Sequence, residues 1–146
     1  MKNINFDSGI QEYKINKNGI LRFNPGDPNV YARFMEASEK VQSVENDMIK
    51  KANESENSGN GSAVLQLLAE ADKQMKEILN WVFGKGNDFD EIMEGVNLMA
   101  VATNGERVIT NLLNALLPVI QEGATKCANQ QIGDAVKNRA ARRAKQ

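Results

Sequence analysis

Asp88, Asp90, Glu91 and Glu94 form the densest set of side chains in this 146-residue chain that could do chemistry. Paired carboxylates serve acid/base catalysis or hold a divalent cation. The run lacks the glycine at the sixth position and the glutamate at the twelfth that a calcium loop requires. Acids in the first turns of a helix also favour the positive end of its dipole, and that is the reading taken for these four. Nucleophilic catalysis fares no better. There is no histidine, so Cys–His and Ser–His pairs are excluded. The single cysteine, Cys127, stands among Thr125, Lys126 and Ala128 and reads as a small helical packing residue. Gly59-Asn60-Gly61, Gly84-Lys85-Gly86 and Asn104-Gly105 match no phosphate-loop or dinucleotide spacing and read as turns. Trp81 and Phe83 close a helical stripe and read as core, not as a base-stacking platform. No enzyme activity, cofactor or metal site is expected.

The chain is rich instead in helical apolar surface. Val30, Phe34, Ala37, Val41, Val44 and Met48 recur every three to four residues, as do Val64, Leu68, Ala71, Met75, Ile78 and Val82. That period keeps one face of each helix against a partner. Packing within one domain is the default account. Stripes of this kind on a chain without reagents also suit an exposed groove or self-association, and Met35, Met48, Met75, Met93 and Met99 add adaptable surface. Phe34, Val41, Met48, Leu68 and Met75 are accordingly the candidate partner-binding residues.

The elements that position these stripes follow from local signals. Tyr13 and Ile15, then Leu21 and Phe23, alternate with polar neighbours around Asn16-Lys17-Asn18-Gly19, so residues 12–24 predict a hairpin with a type I′ Asn-Gly turn. Ile4 and Phe6 suit a third strand. Asp27 and Pro28 cap and open a first helix that runs to about Lys51, and residues 53–62, polar and glycine only, predict a flexible loop. A second helix is expected from Ser62 to Phe83, ended by Gly84. Asn87 or Asp88 caps a short third. The last, Leu-rich from Val108 to Ile120 and interrupted by Pro118, is apolar around most of its girth and is expected to be central. The fold class is therefore mainly α: about four helices with an N-terminal hairpin in a domain over residues 1–123, then a basic tail over 124–146.

Lys and Arg total 18 against 19 Asp and Glu, so a net charge of −1 gives no global pull toward nucleic acid or membrane. The tail concentrates Lys137, Arg139, Arg142, Arg143 and Lys145 after the last acid, Asp134. It reads as a solvated helix-prone segment, with a nucleic-acid or regulatory role as the alternative. No segment is long and apolar enough for a signal peptide or a membrane span, and one unpaired cysteine argues against a secreted disulfide scaffold. A reducing cytoplasm is the expected compartment.

The hairpin from Glu12 to Asn24, the run Pro25-Gly26-Asp27-Pro28-Asn29-Val30-Tyr31-Ala32-Arg33-Phe34, the segment Ile78-Leu79-Asn80-Trp81-Val82-Phe83-Gly84, Asn104-Gly105, and Leu112–Ile120 with Pro118 together resemble the tail assembly chaperones of long-tailed phages and prophages of Gram-positive bacteria. The resemblance spans about Tyr13 to Ile120. It implies a non-catalytic protein that coats the tape measure protein, keeps it soluble and helps recruit tail tube subunits. Such chaperones are often made in a short form and a frameshifted longer form that share one N-terminal region, and nothing in this single chain shows a frameshift. A homo-oligomer is compatible with it.

Overall fold

A computed structural model describes residues 1–57 and 61–144. The architecture is mainly α, with an N-terminal two-stranded antiparallel hairpin. Strands β1 (Gln11–Ile15) and β2 (Gly19–Phe23) are followed by helices α1 (Pro28–Asn57), α2 (Gly61–Phe83), α3 (Phe89–Ile92) and α4 (Val108–Ala144).

The hairpin forms, but not around the expected turn. Ile15 pairs with Gly19, leaving Asn16-Lys17-Asn18 as a three-residue connection with positive φ at Asn16. Gly19 is needed for a different reason. It is buried, and a Cβ there would collide with the carbonyl oxygen of Ile92. No strand forms at Ile4 or Phe6: residues 1–10 carry no regular element.

Asp27 starts α1 as its type suggests, its carboxylate accepting from the Asn29 N–H at 2.9 Å. The helix runs past Lys51 to Asn57, so most of the expected 53–62 loop is helical, and residues 58–60 lie outside the described residues. Helix α2 returns antiparallel along α1: the Arg33 guanidinium, early in α1, donates to the Val82 carbonyl near the end of α2 at 2.9 Å. Their seam contains Phe34, Ala37, Val41 and Met48 from one helix and Ala71, Met75, Leu79 and Val82 from the other, all buried. Gly84, at φ +89°, closes α2 in the left-handed conformation that a side chain disfavours.

Leu98 N–H donates to the Asp72 carboxylate at 2.7 Å, and Ile109 N–H then donates to the Leu98 carbonyl at 2.8 Å. These bonds fix the loop between α3 and α4 onto α2. Arg107 ties the start of α4 to α1 through Glu45 at 3.1 Å.

Two expectations for α4 are not met. It is not central: Ile109, Leu112, Leu116 and Ile120 are buried along one face, while Leu113, Leu117 and Val119 are only half covered. Nor does it end at Ile120. It continues to Ala144, and from Ala128 onward every described residue is exposed. Pro118 does not end it, because the ring sits on the solvent side and frees only the carbonyl of exposed Asn114, which water can satisfy. Gly123 does mark where packing stops. A Cβ there would collide with the carbonyl oxygen of Pro25, so the bare backbone lets α4 rest on the turn before α1.

Candidate functional site

The sequence candidates divide by burial. Phe34 (2% exposed), Val41 (3%), Met48 (5%) and Met75 (0%) form the α1–α2 seam and offer nothing to a partner in this fold. Leu68 is half-buried at the edge of the same core. Each stripe is one face of its helix, and the two faces are spent on each other. Trp81, by contrast, is not core. It is 41% exposed, with the Lys40 ammonium 4.0 Å from its ring centre.

The four acids do not converge. Asp88 caps α3, accepting from the Asp90 N–H at 3.0 Å. Asp90 holds Lys76 at 2.7 Å, and Glu94 accepts from the Asn18 side chain at 2.8 Å. Among the described residues, no group of three His, Cys, Asp or Glu is placed to hold a metal ion. Asn87, the other candidate cap, is buried. It accepts from the Arg22 N–H at 2.9 Å and donates to the Arg22 carbonyl at 2.8 Å, as a neighbouring strand would.

Among the described residues Lys76 is the one buried cation, paired with Asp72 at 2.9 Å as well as with Asp90. Burial works against its charge, and the bonds to Asp90 and Asp72 more than offset that, so its pKa is raised above the ordinary lysine value. This is a structural charge with no proton to give near neutral pH.

What remains open is the flank of α4. A groove of about 630 Å³ runs between β1, the segment after α3, and α4. Tyr13 and Ile15 form one wall, Met93 and Val96 one end, and Val108, Leu112 and Leu116 the floor. A second hollow of about 470 Å³ continues past Tyr13 and Val119 toward Cys127. The half-buried thiol shares it with the Pro25–Gly26 turn. The wall is held by ring packing, Tyr13 on Phe23 at 5.0 Å and Phe23 on Phe83 at 4.8 Å. The signal for this groove was already in the sequence: α4 carries more apolar girth than a helix at the side of a small domain can bury.

The solvent-facing part of α4 carries the other feature. Residues 1–123 hold 18 acids and 12 bases, whereas residues 124–146 hold one acid and six bases. A basic helix thus projects from an acidic body. Lys137, Arg139, Arg142 and Arg143 are all exposed on it, and Lys145 lies outside the described residues.

Fold and groove together define a small helical scaffold with an uncovered apolar channel. Comparison with protein-family models, with curated proteins and with solved structures returns no match. No helix among the described residues is long and apolar enough to cross a membrane.

Proposed function

We propose that this chain is a non-enzymatic tail assembly chaperone. In this reading it holds the tape measure protein in solution, in the cytoplasm of a phage-infected or lysogenic cell, and brings tail tube subunits to it. The observation that carries the reading is the apolar groove along α4. A preformed channel rimmed by the partly exposed Tyr13, Ile15, Val96, Val108 and Val119, with buried Leu112 and Leu116 beneath, suits the apolar ridge of an amphipathic helix, which a long coiled-coil-rich partner would supply in quantity. The family resemblance suggests the partner, and the groove is compatible with a docking site for it. The test is co-expression with the tape measure reading frame of the same locus. The wild-type chain is expected to keep that protein in the soluble fraction. Val96→Asp with Ala115→Asp, at exposed positions of the groove, is expected to abolish the effect while leaving the melting temperature of the chaperone nearly unchanged. Equal solubility with and without this chain would end the proposal.

The projecting basic helix favours a second reading, a nucleic-acid-associated protein. Four phosphate contacts from Lys137, Arg139, Arg142 and Arg143 would weaken duplex binding by ~100-fold between ~50 and ~200 mM salt. Reversing those four charges would flatten the dependence. A flat titration of the wild-type chain at low salt eliminates this reading.

A further inference from the structure

Strand register and one side-chain clamp fix which edge of the hairpin is open. In an antiparallel pair, facing residues alternate between exchanging both backbone bonds and turning both groups outward. Arg22 is of the outward kind, because its N–H and carbonyl both bond to Asn87. Its facing residue, Glu12, therefore turns its own N–H and C=O away from β2, and so does Lys14, two residues on. Asn87 occupies the β2 edge at Arg22, and α3 packs beside that strand. Among the described residues, nothing bonds the four outward backbone groups of Glu12 and Lys14. They stand about 7 Å apart along the strand, beside the apolar groove.

The same molecule carries a segment with the matching chemistry. Ile4 and Phe6 alternate with Asn3, Asn5 and Asp7, so an extended chain puts both apolar side chains on one face. They are 89% and 80% exposed and cover nothing in their own chain. The base of this arm is held: Gly9 N–H donates to the Asp7 carboxylate at 2.8 Å, and the Asn24 side chain donates to the Ser8 carbonyl at 3.2 Å. The arm thus leaves the body from a fixed point and lies off its own groove.

We propose that residues Lys2–Phe6 of a second copy add to the open edge of β1 as a third strand, seating Ile4 and Phe6 in the groove against Val108 and Leu112. Neighbouring strands share their faces, so a segment aligned on β1 turns its apolar side toward α4 together with Tyr13 and Ile15. Reciprocal exchange of arms closes a two-fold dimer and covers both unpaired edges. The inference rests on the groove being a docking surface, as in the functional reading above, and names a second copy of this chain as an occupant.

Sedimentation velocity of the full chain over a range of concentrations tests it. The expected result is a monomer–dimer equilibrium. Ile4→Asp with Phe6→Asp is expected to weaken the dimer by about a hundredfold, each apolar side chain being worth roughly tenfold or more. Lys14→Pro, which removes an outward N–H from an edge strand and leaves the β1–β2 bonds intact, is expected to weaken it by about tenfold. The arm variant changes only exposed positions, so its fold is not at stake. A monomer at every concentration overturns the proposal, including one whose arm amides are protected from exchange, which would mean docking on its own body. A dimer untouched by both variants overturns it as well. The assay contains this chain alone, so its failure leaves the tape-measure reading standing, and failure of co-expression leaves the dimer standing.

Discussion

Asp72→Ala is expected to lower the unfolding free energy by about 3 kcal/mol, the range for removing one partner of a buried ion pair. Asp72 does two jobs at once. One carboxylate oxygen holds the Lys76 ammonium at 2.9 Å and the other accepts from the Leu98 N–H at 2.7 Å. The lysine side chain is 6% exposed and that of Asp72 15%, so water cannot replace the lost partner for either group. Asp90 remains on Lys76, but at 66% exposure it is a screened partner and recovers only part of the loss. The informative contrast is Asp72→Asn combined with Lys76→Met. The amide oxygen still accepts from Leu98, the buried charge is gone, and the thioether fills the lysine's channel. Removing both charges of a buried pair is commonly near neutral, so this double variant is expected to stay within about 1 kcal/mol of wild type in urea unfolding. A double variant as unstable as Asp72→Ala would show that the pair itself stabilises, contrary to this account.

The same pair sets a pH dependence of known sign. The pKa of Lys76 is raised from 10.5, so the folded state holds this proton more tightly than the unfolded chain does. Its contribution is fully present below the ordinary lysine value and is lost as pH climbs through the raised one. Thermal unfolding should therefore show no dependence on Lys76 between neutral pH and about 9, and a fall only in strong alkali. That fall should be smaller in the Asp72→Asn, Lys76→Met double variant but not abolished, because the bond to Asp47 raises the pKa of Lys51 as well.

Much of this architecture was legible because periodicity is a local property. The three- and four-residue steps of Val30–Met48 and Val64–Val82 reported one buried face per helix, and Asp27-Pro28 and Gly84 marked real helix ends. What a stripe faces is not local. Phe34, Val41, Met48 and Met75 had the spacing of a docking ridge and of a core ridge alike, and only the return of α2 along α1 decides for core. The Leu-rich stretch of α4 failed the other way. Apolar girth suggests a central position, but Leu113, Leu117 and Val119 are merely half covered, and of these three Val119 lines the groove. Asn-Gly is a strong hairpin signal and points to turn chemistry at Gly19, whereas the constraint there is a carbonyl from a segment over seventy residues away, which no window of sequence contains.

Gly123→Ala is expected to destabilise the fold by about 2 kcal/mol and to distort the groove, because its constraint is of the same non-local kind. The added methyl would fall on the Pro25 carbonyl oxygen, which is backbone and cannot swing aside as a side chain would. Either α4 lifts from the turn or the turn lifts from β2, and both movements open the channel that Tyr13 and Val119 border. Gly26→Ala is the matched control in the same contact. A Cβ there meets nothing closer than 3.5 Å, and the residue needs no left-handed backbone, so it should be neutral within about 0.5 kcal/mol. If α4 is the floor of a docking surface, the two alanines should part company in binding as they do in stability. Gly26→Ala should retain co-solubilisation of the tape measure protein, and Gly123→Ala should lose it below its own melting temperature. Equal stability of the two would mean that α4 and the Pro25 turn are not in contact, and the second hollow they border would not exist in this form.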